Sequence, residues 1–218
     1  MPASTPVSRT KTAALSRILD GVVRGYVRYI AGVVSADKAL SLASKFHDLY
    51  GIGCTPSQRI TRKHKGQANS LFVLYWAEGA TQVDWLLLVS AGSGPVVERE
   101  KLRSVTAKPR LVWIGYELLR HRERGTARWT WRRTKAEMAE LYHLLGEQLR
   151  RRQTDALGDT LERIARQPGF HGVRVQSWAL FEYVRHHGYQ HELPHIFYVR
   201  KVSHGERITL AAGRLDAI

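Results

Sequence analysis

A single cysteine, Cys54, stands in this chain of 218 residues. No disulfide can form within the chain, and no zinc site built on several thiolates is available. A lone thiol suits a reducing compartment, so a cytoplasmic location is expected. Long apolar runs are missing too. The longest, WLLLV at Trp85 to Val89, is strand-sized and falls far short of the roughly 20 residues of a membrane helix. The opening MPASTPVSRTKTA is polar and lacks a signal-peptide core. No terminal helix pairs a Lys-rich face with a bulky apolar one, so no membrane partner is expected. Acidic residues are scarce: nineteen Asp and Glu stand against thirty-four Lys and Arg, a formal net charge of +15. Arginine-rich composition can reflect a GC-rich genome, but a field of this size and clustering favours polyanions, nucleic acid first.

Most catalytic patterns are absent as well. There is no GxxxxGK[ST] loop for phosphates, and SAGSG (Ser90 to Gly94) is a glycine-rich turn without the rest of a nucleotide motif. A metal-dependent nuclease needs clustered carboxylates, whereas here the acids are scattered. In VEREK, Glu98 lies three before Lys101 and Glu100 one before, so neither has acid-x-lysine spacing. No cofactor is expected, and a binding protein is favoured over an enzyme.

One string does match a catalytic pattern: HELPH, His191 to His195, fits H-E-x-x-H. That motif works when a helix stacks both histidines on one face, with Glu192 aimed at a zinc-bound water. Pro194 removes a helical hydrogen bond, at a cost of roughly 3 kcal/mol, and biases Leu193 towards extended backbone. Gly188 reads as a helix stop and IFYVRKV as a strand, and only Glu206 and Asp216 remain downstream as a third ligand. The expected structure is a helix end, a loop and a strand, without zinc. A second string, Tyr198 to Lys201, gives Y-x-x-K just after His187, His191 and His195. It supports an alternative, a nuclease with Tyr198 as nucleophile or a His–Lys pair, although no His-x-His pair exists to hold its metal.

The remaining patterns predict an α+β fold with three regions. Residues 1–10, rich in Ser, Thr and Pro, are expected to be a disordered leader. Region 11–134 begins with helical spacing from Lys11 to Val34. Ser35 is a candidate N-cap for a second helix, Ala36 to Tyr50, stopping at Gly51 to Gly53. These two helices would form a hairpin. The stretch CTPSQRITRKHKGQANS reads as coil carrying Arg59, Arg62, Lys63 and Lys65. An antiparallel four-stranded sheet follows: LFVLYW with VDWLLLVS, then RLVWIGYELL with TARWTWRRT. In the last strand Trp129 and Trp131 share one face, while Arg128 and Arg132 share the other. Core packing is the expected role for at least two of Trp113, Trp129 and Trp131. The hairpin tip carries Arg120, His121, Arg122 and Arg124 against Glu123. From Arg99 to Arg152, fifteen Lys and Arg face six Glu, a net of +9.

Region 135–218 reads as three helices, Lys135 to Arg152, Thr154 to Arg166 and Val175 to His187, ending in a β-hairpin. That is the order of a winged helix-turn-helix, with Gln176, Ser177, Glu182 and Arg185 facing a major groove and Arg200, Lys201 and His204 in the wing. The competing arrangement has the last hairpin joining the upstream sheet. The run Arg150 to Arg152 suits a helix C-terminus and needs no ligand.

Together these patterns predict a nucleic-acid-binding protein, with DNA favoured over RNA, serving replication, maintenance, transfer or regulation of a mobile element. The candidate contacts are Arg59, Arg62, Lys63, Lys65, Arg120, Arg122, Arg124, Arg128, Arg132, Arg133, Gln176, Arg185, Arg200, Lys201 and His204. Besides the nuclease, the alternative is a basic subunit that docks a protein or a ribonucleoprotein.

Overall fold

In the computed structural model, which describes residues 4–123, 126–199 and 205–209, Gly25 ends the first helix early. Its φ of 93° lies in the left-handed region that glycine enters without penalty. The chain runs β1 (Ser4–Ser8), α1 (Lys11–Val23), β2 (Arg28–Ser35), α2 (Ala36–Tyr50), α3 (Pro56–His64), β3 (Ser70–Tyr75), β4 (Gln82–Val89), α4 (Pro95–Arg99) and β5 (Arg103–Ser104). It continues through β6 (Val112–Trp113), β7 (Tyr116–Glu123), β8 (Thr126–Arg133), α5 (Lys135–Arg150), α6 (Thr154–Ala165) and α7 (His171–His186) to β9 (Glu206–Thr209). The fold is α+β. Two compact units divide it: unit 1 comprises Met1–Pro109 with Val202–Ile218, and unit 2 comprises Arg110–Lys201.

Unit 1 corrects the expected helical hairpin. The helical spacing from Lys11 to Val34 covers two elements, because Ile30, Val33 and Val34 are β-branched and suit the pleated strand β2 that follows Gly25. Ser35 does take the extended backbone of an N-cap, and Gly51, at φ 63°, closes α2 in the left-handed conformation. The sheet has six strands in the order β5-β2-β4-β3-β1-β9, not four in one antiparallel array, and β1 lies parallel to β3. The β3–β4 hairpin is antiparallel as expected, with Phe72 opposite Leu87.

Helices cover both sheet faces. On one, α1 sets Leu15, Ile18 and Val22 inward, and Gly21 comes so close that an added Cβ would lie 2.7 Å from Leu88. On the other, Ala39, Ala43 and Phe46 of α2 pack on Phe72, Leu74 and Leu87. Phe46 meets Phe72 and Trp85 edge-on at 5.2 and 5.5 Å. Trp85 lies across Gly32 of the neighbouring strand, where any side chain would collide with its indole.

Three further expectations are corrected in unit 1. Residues 4–8, placed in the leader, form β1, which buries Thr5, Val7 and Ser8. The segment read as coil contains α3, whose start is a capping box: Thr55 accepts from the Gln58 backbone while the Gln58 side chain accepts from the Thr55 N–H. The last strand, β9, pairs with β1, Thr5 opposite Ile208. Residues 196–199 are not strand, and residues 200–204 lie outside the described ones. So β9 extends the upstream sheet, and no wing is found among the described residues.

Unit 2 joins a three-stranded sheet, β6-β7-β8, to three helices that pack around Leu145, Leu161, Ile164, Leu180, Phe181 and Val184. The three helices were expected, but α7 begins at His171, earlier than Val175, directly after the Pro168–Gly169 break. Its first turn lies on β8. A Cβ at Gly172 would stand 2.6 Å from the carbonyl oxygen of Trp131. Gly172→Ala should therefore lower stability by about 2 kcal/mol, the cost of a forced backbone shift, readable as a lower urea midpoint. No helix among the described residues is long and apolar enough to cross a membrane.

Candidate nucleic-acid interface

The β7–β8 hairpin pairs Tyr116 with Arg133, Leu118 with Trp131, Arg120 with Trp129 and Arg122 with Ala127. Strand alternation puts these residues on one face. Its base is interior: Tyr116, Leu118, Trp131 and Arg133 are buried, and Trp113 is buried in the same unit. Towards the tip the face opens, leaving Trp129 half-buried and Arg120 and Arg122 exposed. The Arg120 guanidinium lies 5.5 Å from the Trp129 ring centre, a cation–π distance. Arg128 is exposed on the opposite face, across from His121. Among the described residues none of Arg120, Arg122 and Arg128 forms an ion pair with a carboxylate. Arg124 lies outside the described residues.

Other basic residues of this region are engaged within the fold. Arg132 binds Glu117 at 2.7 Å, and Glu117 also receives Arg110 at 3.4 Å. Arg133 is fully buried. Its Nε donates to Gln167 Oε1 at 2.5 Å, Nη1 to the Val173 carbonyl at 3.1 Å, and Nη2 to Ser177 Oγ at 2.8 Å and the Ile164 carbonyl at 3.4 Å. Burial lowers its pKa, which the nearby Tyr116 and Glu137 partly oppose. Gln176, assigned by sequence to a recognition face, instead completes the edge of β8: it accepts from the Arg133 N–H at 2.7 Å and donates to the Arg133 carbonyl at 3.1 Å. Arg133, Gln176 and the buried Ser177 thus fasten α6 and α7 to the hairpin, because an edge strand leaves backbone groups that something must satisfy. At the end of α5, Arg150 and Arg151 both pair with Glu147, at 2.9 and 3.1 Å.

In unit 1 the helix α3 separates its four cations. Lys63 and Lys65 are exposed. Arg62 turns back onto the fold, with Nη1 donating to the Tyr50 carbonyl at 3.2 Å and lying 3.4 Å from Cys54 Sγ. Arg59 is half-buried, and its nearest acceptor is the Ile52 carbonyl at 3.5 Å.

Around the histidine-rich segment, α7 stops at His186 and Gly188 takes φ 92°. Residues 191–195 have no helical backbone, so His191 and His195 are not stacked one turn apart. The described residues contain no group of three or more His, Cys, Asp or Glu side chains placed to hold a metal. The Tyr198 ring lies under Arg174, with the guanidinium carbon 3.4 Å from the ring centre. Arg185 is exposed and donates to the Tyr189 carbonyl at 2.8 Å. Arg200, Lys201 and His204 lie outside the described residues.

Comparison with protein-family models, with curated proteins and with solved structures finds no match. Side-chain placement is then the guide to what this chain does. It also shows cations that sequence reasoning missed. Arg59 faces Arg17 of α1 and Arg207 of β9. Arg17 carries one available signal: it is a lone arginine between Leu15 and Ile18, in the most apolar turn of its helix. Nothing local marks Arg207, because its strand partner lies at the other end of the sequence.

Proposed function

We propose that the protein binds nucleic acid through backbone phosphates, with the β7–β8 hairpin as principal contact and duplex DNA favoured over RNA. The observation that carries this reading is the exposed set Arg120, Arg122 and Arg128, without a carboxylate partner among the described residues. Cations crowded on a ribbon end repel one another, and an array of phosphates relieves that repulsion while releasing counterions. A two-stranded ribbon fits the major groove of B-DNA, about 12 Å wide, but not the narrow major groove of A-form RNA. The half-exposed Trp129 beside Arg120 adds an apolar surface next to the cations.

A comparison of two triple variants tests this. Arg120, Arg122 and Arg128 changed together to Ala should weaken duplex binding at least about tenfold, because each removes an unpaired cation. The same change at Arg150, Arg151 and Arg152 should weaken it less than about threefold, because Glu147 already neutralises part of that group. Equal losses, with both variants folded by circular dichroism, would mean a diffuse basic field. A larger loss at the helix end would remove the hairpin from the account.

A further inference from the structure

Unit 1 holds a half-open pocket of about 510 Å³ whose walls come from α1, from β1, β3 and β9, and from α3 with the turn before it. Four arginines reach it: Arg17 of α1, Arg24 just after that helix, Arg59 of α3 and Arg207 of β9. Asp20 is the one carboxylate among the lining residues. Such a grouping of like charges opposes folding, so it needs a reason.

Packing does not supply that reason. Arg133 shows what a structural arginine looks like in this protein: buried, with Nε and both terminal nitrogens donating to acceptors of the fold. Arg17 and Arg59 differ. The Nε of each is buried without any hydrogen-bond partner, as it also is in Arg28, Arg62 and Arg174, but of these five only Arg17 and Arg59 line the cavity. The Arg17 guanidinium is pushed down to about 10, first by burial, then by Arg59 and Arg207, with Asp20 only partly opposing. A buried, idle donor among like charges is a poor arrangement for an empty cavity and a good one for an anion. Thr55, the N-cap of α3, and Pro56, its first residue, also line it.

We propose that this cavity is an anion site that takes the phosphate of a nucleotide, either free or at the phosphorylated end of a strand. The volume exceeds the needs of a bare phosphate and falls within the roughly 300–1,000 Å³ of small-molecule sites. Half-buried Leu71, with Tyr26 beside it, supplies apolar surface for the rest of the nucleotide. The proposal stands on the cavity alone and is independent of the hairpin.

Calorimetric titration of the full chain at low salt tests it, with three probes: adenosine monophosphate, a short single strand with a 5′-phosphate, and the same strand with a 5′-hydroxyl. At least one phosphorylated probe should bind saturably at one site, with the hydroxyl strand at least about tenfold weaker than its phosphorylated twin if the strand end is the source. Binding of the mononucleotide assigns a free nucleotide instead. Arg17→Met should weaken the phosphorylated probe on the order of tenfold or more, and should raise the melting temperature in phosphate-free buffer, because it removes a half-buried cation repelled by its neighbours. A merely structural Arg17 would give the opposite thermal shift. Should Arg17→Met fail to fold, Arg59→Gln carries the same comparison. The triple variant at Arg120, Arg122 and Arg128 should leave mononucleotide binding unchanged. Absence of saturable binding by every phosphorylated probe, unchanged affinity in the variants, or loss of mononucleotide binding in the hairpin variant would each overturn the site.

Discussion

Replacing Arg133 with Ala should lower the stability of unit 2 by about 4 kcal/mol, more than any other single change considered. The guanidinium is the hub of four hydrogen bonds, to Gln167, Val173, Ser177 and Ile164, all inside the protein. Truncation takes a donor from the half-buried Gln167 oxygen, from the Ser177 hydroxyl and from the Ile164 and Val173 carbonyls. Outside the helix ladder, those two carbonyls keep only the Gln167 N–H and the Ser177 hydroxyl as partners among the described residues. It also opens a void beside Trp131. Hydrogen bonds to a charged group contribute about 1.5–3 kcal/mol each before compensation, so the sum over four, discounted for relaxation, reaches this size. Arg133→Lys should recover only part of the loss, because an ammonium cannot span four separated acceptors as the planar fork does. Urea unfolding followed by tryptophan fluorescence measures both. A loss under about 1 kcal/mol for Arg133→Ala would mean that these bonds contribute little beyond what water provides.

Raising salt from about 50 to about 200 mM should weaken nucleic-acid binding about fortyfold, if three phosphates are neutralised at the usual slope of about −0.9 each. The three cations are Arg120, Arg122 and Arg128 on the hairpin, all exposed. The triple hairpin variant should then show a log–log slope shallower by about three units, whatever the base sequence. The slope carries more information than the affinity. An affinity that ignores salt would show that charge does not drive the interaction, and a protein-docking role for the hairpin would gain ground.

The parts of this fold that were legible are those set by near neighbours in the chain. The period of Met138, Leu141, Leu145 and Leu149 marks α5, and AEGATQ between two apolar runs marks the β3–β4 hairpin. The helix α3 was legible too, because Thr55, Pro56 and Gln58 spell an N-cap, a first-turn proline and a capping box, but the basic run behind them obscured it. The break after α1 was hidden for a different reason. Tyr26, Val27 and Ile30 continue helical spacing by chance, and only Gly25 interrupts it. What no local pattern shows is pairing over distance. Pro6 argues against a strand by propensity, yet β1 forms because β3 and β9 flank it. The same holds for the candidate sites. Exposure of Arg120 and Arg122 follows from their place near a hairpin end, whereas burial of Arg133 depends on helices that begin about 20 to 40 residues later. The arginine cavity draws on segments from Thr5 to Arg207, and no window of sequence contains it.

The pairing of β9 with β1 also fixes an order of events during synthesis. Unit 2 occupies residues 110–201, between the two stretches that make up unit 1. A ribosome delivers the whole of unit 2 before it delivers β9, and domains of this size fold as they emerge. The six-stranded sheet therefore waits, with the outer edge of β1 unpaired, until unit 2 and then β9 have left the exit tunnel. Arg207 arrives with that strand, so the cavity gains its final cation only after the whole of unit 2 has been made. A nascent chain stalled before β9 would carry a folded unit 2, an open sheet edge prone to pairing with other chains, and an arginine cavity missing one wall.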